Sequence, residues 1–256
     1  MTIDPADPWL RCFLPAPHAP VQLLCFPHAG GAASWYAPLA RAMEPACEVI
    51  AVQYPGRQER RNEPLVGTVA DLADGVVPSV LAGADRPLTL FGHSLGASVA
   101  FEVAQRLEER GVALVALLVS GRTAPCRERG GTVHALPDED LLAEVTALGG
   151  TDAAALADHE VRAMVLPGLR GDYRCAETYR FSPPGLISAP IHVLVGAEDP
   201  QVGVDEARDW ARHTRGASTL RVFPGGHFYL VEQPAGVIDE IRSRIGQLPA
   251  TDRHGP

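Results

Sequence analysis

The sequence predicts an α/β fold with a mostly parallel central sheet covered by helices on both faces. Short apolar runs of strand length alternate with segments whose apolar residues recur every three or four positions. Most of the runs are apolar almost throughout, as strands buried on both faces require. The rhythm breaks once, between Gly121 and Ile191, where two helical patterns stand with no strand between them.

Residues Met1 to Pro20 are rich in proline and are expected to wrap the surface, with an edge strand at Leu10–Leu14. Val21–Phe26 reads as the first buried strand, ended by Pro27-His28-Ala29-Gly30-Gly31 and followed by a helix from about Ser34 to Met43. Cys47–Tyr54 forms a second strand, closed by Pro55-Gly56 and an arginine-bearing loop. Thr68–Leu81 reads as a helix that Gly75 and Pro78 bend or shorten. Leu88–Phe91 is the next strand; after Gly92-His93-Ser94-Leu95-Gly96 comes a helix with its apolar face at Ala100, Val103, Ala104 and Leu107, ending near Gly111. Ala113–Ser120 is another buried strand.

Within the break, Asp138 is placed to cap a helix whose apolar face is Leu141, Leu142, Val145 and Leu148, with Gly149-Gly150 as its stop. Asp158 is placed to cap a second, carrying Val161, Met164 and Val165; Pro167 interrupts it before helix resumes through Tyr173–Tyr179. The sheet returns at Ile191–Val195, followed by a helix over Val204–His213, a last strand at Ser218–Phe223 and a helix from about Gln233 to Gln247. The chain is therefore read as one domain over residues 1–256. It has a core of about 10–121 and 186–248, a helical lid insertion of about 122–185, and a polar, flexible tail at 249–256.

Composition narrows the function. The 256 residues are 46% hydrophobic and 21% charged, as in an ordinary globular protein. A net charge of −9 argues against a general nucleic-acid binder. Five widely spaced cysteines with no C-x-x-C fit neither a disulfide framework nor a zinc site, and fit a reducing compartment. The start, MTIDPADPWL, lacks the basic and apolar regions of a signal peptide, and no apolar run approaches the roughly 18 residues of a membrane span. The expectation is a cytoplasmic monomer that binds neither nucleic acid nor membrane.

The chemistry centres on Gly92-His93-Ser94-Leu95-Gly96. A serine between glycines, on a sharp turn from a buried strand to a helix, is the nucleophile elbow of α/β-hydrolases. Serine needs a base within hydrogen-bond reach, and nine histidines compete. His227 follows the last strand in a PGGHF turn. His93 adjoins the serine in a tight turn, His192 lies within a strand pattern, and His28 sits in a loop needed for another role. The base also needs a carboxylate at its other ring nitrogen. Gly196-Ala197-Glu198-Asp199-Pro200 supplies one after a strand: Asp199 is the choice, with Glu198 and Asp205 as alternatives. Ser94, Asp199 and His227 stand in α/β-hydrolase order. Two N–H donors for an oxyanion are assigned to Leu95, after the serine, and Ala29, in the glycine-rich loop after the first strand.

At this level of detail the sequence resembles a family. FPHAGG at Phe26–Gly31, YPGRQER at Tyr54–Arg60, GHSLGA at Gly92–Ala97, LPGLRGDYRCAETYR at Leu166–Arg180, GAEDP at Gly196–Pro200 and PGGHFYL at Pro224–Leu230 occur in order. Together they resemble the stand-alone type II thioesterases that accompany modular polyketide and nonribosomal peptide synthases. One departure is Leu95, where some members carry methionine; the donor there is backbone, so the change bears little on the chemistry.

The resemblance implies a serine thioesterase that hydrolyses acyl groups from the phosphopantetheine arm of acyl or peptidyl carrier proteins, an editing role, and that also accepts small acyl thioesters. It implies no cofactor and no metal beyond the arm that carries the substrate. A carboxylesterase or an acyltransferase is the alternative, since the triad serves all three; a non-catalytic binding protein on the same fold is a third reading that the intact Ser/Asp/His set opposes. Leu141, Leu142, Val145, Met164 and Val165 are expected to line an acyl pocket under the lid. Arg57, Arg60, Arg61, Arg122, Arg127 and Arg129, all following strands, are candidates for docking an acidic carrier.

Overall fold

The protein is described from a computed structural model covering residues 4, 7–127, 130–150, 156, 158–181 and 185–246. Seven strands form one sheet: β1 (Leu10–Arg11), β2 (Gln22–Phe26), β3 (Glu48–Val52), β4 (Leu88–His93), β5 (Leu114–Ser120), β6 (Ile191–Gly196) and β7 (Ser218–Phe223). Their order is β1-β3-β2-β4-β5-β6-β7. Every pairing is parallel except that of β1, which runs antiparallel to β3 at the edge. The helices are α1 (Ala37–Met43), α2 (Val69–Gly83), α3 (Leu95–Glu109), α4 (Asp138–Ala147), α5 (His159–Thr178), α6 (Val204–Ala207), α7 (Tyr229–Glu232) and α8 (Pro234–Ile245).

The all-apolar strands are explained by two cores, one on each face of the sheet. Leu24 and Phe26, Ile50 and Val52, Leu88 and Leu90, Leu117 and Val119, and Val193 and Val195 point to the face covered by α2 and α3. Their neighbours Leu23 and Cys25, Val49 and Ala51, Phe91, Ala116 and Leu118, and Leu194 meet α1 and α8 on the other. Alternation is present in direction but not in polarity, because both faces are dry.

Chain order also fixes where a site forms. From β2 the chain moves outward to β3, then returns to place β4 on β2's other side. The loops after β2 and β4 therefore diverge at a switch point, and the loops after β2 to β7 all open on one rim.

Local differences from the sequence reading have physical causes. The edge strand is two residues, not five. The helix expected from Ser34 begins as a 3-10 turn at Ala33–Tyr36 and becomes α-helical only at Ala37. Thr68 caps α2 by accepting from Asp71 N, and the helix passes through Pro78 to Gly83 rather than ending early. Likewise α5 is a continuous 20-residue helix through Pro167, capped by Asp158. Burial of Leu169, Asp172 and Cys175 beyond the proline outweighs the one lost backbone hydrogen bond. Asp138 does not cap α4: Pro137 occupies the cap, and the Asp138 carboxylate pairs with Arg170 at 2.5 Å. The final helix α8 starts at Pro234, as expected from about Gln233, and a short unread turn of helix, α7, precedes it. The insertion between β5 and β6 holds α4, α5 and a 3-10 turn at Val133–Ala135, with no ladder strand among the described residues. The 249–256 tail lies outside the described residues.

The tightest approach of a glycine to other backbone lies beneath the β4–α3 turn. A Cβ at Gly96 would lie 2.0 Å from Phe26 O, so Gly96→Ala is expected to cost about 1–3 kcal/mol or prevent folding. Gly67→Ala, where nothing lies within 4 Å, should stay within about 0.5 kcal/mol of the parent. Urea unfolding of the two variants checks the difference, and equal midpoints would contradict this packing.

Candidate active site

Ser94 sits between β4 and α3 with φ 55° and ψ −120°, a left-handed conformation that a non-glycine residue adopts only when its surroundings impose it. The turn is imposed from both sides. A Cβ at Gly92 would lie 2.2 Å from Gly96 O, and Ser94 N donates to Ser120 O at 2.8 Å. Half-buried Ser94 opens into a cavity of about 240 Å³ together with Ala29, Arg122, Gln201 and His227 from four other rim loops.

His227 follows β7, and Asp199 follows β6. Both are buried, at 3% and 8% exposure. His227 Nδ1 lies 3.0 and 2.9 Å from the two Asp199 oxygens. An ionised carboxylate only accepts, so Nδ1 carries the proton and donates, leaving Nε2 as the basic nitrogen. Asp199 Oδ1 also accepts from Gln201 N at 2.7 Å, which holds the carboxylate in place. The alternatives differ: Glu198 and Asp205 are exposed.

Two more histidines pack beside this pair. His93 Nδ1 is 2.9 Å from Ser120 Oγ, which is 2.6 Å from Tyr229 OH. The His93 ring lies 4.9 Å from that of His227. His28 packs edge-on against Trp35 and Phe228 at 4.7 and 4.9 Å. Burial pushes His28 down to about 3, with the charges of His227 and Arg57 adding to it. Burial also holds His93 well below the usual imidazole range, with His227 and His28 adding and a hydrogen bond donated to the Ser120 backbone opposing. Both rings are neutral near pH 7 and place no fixed charge against His227.

The two oxyanion candidates lie at the start of α3 and in the loop after β2. Leu95 is the first residue of α3, whose opening amides have no acceptor within the helix, and Ala29 lines the cavity. The lid residues divide differently. Val145 lines the cavity, but Leu141, Leu142 and Val165 pack within the lid's own core, and Met164 is 62% exposed. The wall over Ser94 is built instead from Val133, Leu148, Tyr173, Ala176, Glu177 and Phe228. Tyr173, Ala176 and Glu177 share one face of α5; the sequence held this signal in LPGLRGDYRCAETYR, but only docking of the helix shows which face turns inward.

The arginine candidates are corrected more strongly. Arg57 is half-buried and Arg60 buried: Arg57 pairs with Asp172 at 2.6 Å, and Arg60 with Glu63 at 2.6 Å and Gln53 O at 2.8 Å. Arg127 pairs with Asp209 at 2.5 Å, and Arg122 lines the cavity and donates to Ala176 O. Arg61 is exposed, and Arg129 lies outside the described residues. Arg57 and Arg60 were read as surface charge because sequence shows a basic cluster but not its internal acceptors.

Among the described residues no three His, Cys, Asp or Glu side chains gather as a metal site, and no helix is long and apolar enough to cross a membrane. A second groove of about 320 Å³, lined by Trp35, Phe91, Leu230 and Ile241, lies between α1 and α8 and contains none of the site residues.

A serine lifted on a strained turn at a parallel sheet's switch point, with its acid and histidine on later rim loops, places the chain in the α/β-hydrolase class. The thioesterase domain family matches residues 21–245, and the chain belongs to that family. Thioesterase PikA5 of Streptomyces venezuelae is 45% identical over 239 residues, covering 93% of this chain and 85% of its own. The probable cadicidin biosynthesis thioesterase of Streptomyces griseus is 44% identical over 253 residues, 99% of this chain and 69% of its own. Among solved structures, the type II thioesterase BorB from the borrelidin biosynthetic cluster is 49% identical, with a TM-score of 0.88 over 93% of this chain and 98% of that one. The resemblance read from the motifs was to this same type.

The buried neutral histidines predict a pH dependence. His28 titrates near 6.5 when unfolded and about 3 when folded, so between those values the unfolded chain binds the extra proton. Stability is then full above about pH 6.5 and falls as pH drops toward 3, by up to about 1.4 kcal/mol per pH unit for each such ring. Urea midpoints should fall from pH 7 to pH 5, and less steeply in His28→Phe. An unchanged slope in that variant would contradict a neutral, buried His28.

Proposed function

We propose that the protein is a serine thioesterase that removes acyl groups from the phosphopantetheine thioester of acyl or peptidyl carrier proteins. The observation that carries this reading is the buried Asp199–His227 pair opening on the same cavity as Ser94. Ser94 Oγ attacks the thioester carbonyl while His227 Nε2 takes its proton, and Asp199 stabilises the imidazolium. The amides of Ala29 and Leu95 hold the tetrahedral oxyanion. Collapse breaks the C–S bond, and His227 returns the proton to the departing thiol. Water then attacks the acyl-serine with His227 again as base, releasing the acid and Ser94. A thiol, with a pKa of about 8.5, leaves far more readily than an alkoxide.

The substrate arm enters from the rim and the acyl group rests under the lid, against Val145, Leu148 and Tyr173. Delivery by an acidic carrier has little long-range help from a chain of net charge −9. Arg57, Arg60 and Arg127 are each paired with a carboxylate of this chain, so exposed Arg61 is the member of the candidate set proposed to receive it.

Ser94→Ala should fold normally and lose thioester hydrolysis by about 10⁴-fold or more. His227→Ala should cost about as much and Asp199→Asn less; turnover of acyl-carrier, acyl-coenzyme A and a simple ester checks all three variants and separates thioesterase from carboxylesterase. Ser94→Ala activity above a few per cent of the parent would refute the mechanism. Val145→Phe should shift preference toward shorter acyl chains while leaving serine labelling by a fluorophosphonate intact. An unchanged chain-length profile would show that the acyl group lies elsewhere.

A further inference from the structure

Of the charged side chains on the lid helix α5, Asp172 is the one that is buried. Asp172 is 4% exposed, and its two oxygens are spent on different segments of the core. Oδ2 accepts from Gly30 N at 2.7 Å, and Oδ1 accepts from Arg57 at 2.6 Å. Gly30 follows β2 and Arg57 follows β3, so one carboxylate joins the lid to two rim loops far apart in sequence. Arg57 is itself fixed, with its guanidinium 5.2 Å from the centre of the Tyr54 ring. One helical turn before Asp172, Leu169 closes on the same loop: a Cβ at Gly30 would lie 2.8 Å from Leu169 Cδ1. On the helix side facing the cavity, Tyr173 and Ala176 form part of the wall over Ser94.

An apolar side chain would seat a lid as well, since a buried ion pair adds little net stability over apolar packing. What an apolar group cannot do is accept an N–H. The N–H taken here belongs to the residue directly after Ala29, in the loop whose amide orientation decides whether an oxyanion is held. Charge makes the acceptor stronger and more directional than a neutral one, and Arg57 keeps that charge paired.

We propose that Asp172 is a positioning residue for the oxyanion loop: held by Arg57, it fixes Gly30 N–H and so the Ala29 amide, and the oxyanion site is complete only while the lid is seated. This rests on the serine-hydrolase reading above, with Ala29 as a donor. Substrate entry that lifts α5 thus relaxes the loop, and reseating restores it, so that a thioester meets a competent site only after the lid closes over it.

The test compares Asp172→Ala with Asp172→Asn in the full chain, using a small acyl thioester. Loss of a whole oxyanion donor costs about 10²–10³ in kcat, so a misplaced one is expected to cost tenfold or more in Asp172→Ala, with KM within about twofold. Asp172→Asn keeps an oxygen for Gly30 N–H and should recover kcat to within about threefold of the parent. A lid anchor and nothing more would give equal effects in both variants, or a loss confined to KM, and either result overturns the proposal.

If Asp172→Ala fails to fold, amide exchange in the parent protein decides. Gly30 N–H should open in the same step as the amides of residues 169–175, and fast exchange at Gly30 under a protected lid would overturn the proposal. Fluorophosphonate labelling separates this inference from the one beneath it. Labelling of the parent at Ser94 with no difference between the Asp172 variants sinks only the positioning role, whereas no labelling at Ser94 sinks the serine mechanism.

Discussion

The structure is organised around the close approach of the β4–α3 turn to β2. Neither Gly92 nor Gly96 has room for a Cβ: one would lie 2.2 Å from Gly96 O, the other 2.0 Å from Phe26 O. With both in place the helix starts immediately after the strand, and Ser94 is left half-buried at φ 55° on the crest of the turn. Strain of this kind costs about 1–3 kcal/mol and persists only where surrounding packing over-determines it. Here the over-determination is the two-faced core, in which every residue of β2, β3, β4 and β5 is buried. The same close approach sets the oxyanion loop beside the serine, because the residues that crowd Gly96 are Phe26 and Pro27, at the start of that loop.

Around this crest the other groups come from the order of strands rather than from proximity in sequence. Asp199 and His227 lie 28 residues apart and meet because β6 and β7 are parallel neighbours whose ends share the rim. The environment then assigns roles among the histidines. His28 and His93 are buried, so their charged forms are disfavoured, whereas His227 has a carboxylate at Nδ1. Division of labour among chemically identical side chains follows from what each ring touches.

Much of this was legible in the sequence, and the parts that were not share a cause. The elbow, the acid and the histidine are each marked by local chemistry: glycines where a turn is tight, and a carboxylate and an imidazole just past strand ends. Strand positions followed from apolar runs that only a doubly covered sheet explains. Helix continuation through Pro167 was not legible, because local propensity predicts a break and tertiary burial of Leu169, Asp172 and Cys175 overrides it. Nor was the fate of Arg57. A basic loop looks like surface charge until Asp172, 115 residues later, is seen to fold back onto it. The acyl-pocket residues were misjudged for a similar reason, since Leu141 and Leu142 have the right pattern for a lid helix but face its own core. Pattern gives the apolar face of a helix; only docking gives what that face meets.

The central claim is that turnover passes through an acyl group on Ser94. It is tested most directly by quenching the protein with acid within milliseconds of mixing with an acyl-loaded carrier protein, then mapping the adduct by mass spectrometry. The account predicts a transient mass increase equal to the acyl group on the peptide containing Ser94, absent from Ser94→Ala. Undiminished turnover with no adduct at Ser94, or with the acyl group on one of the five cysteines instead, would contradict it.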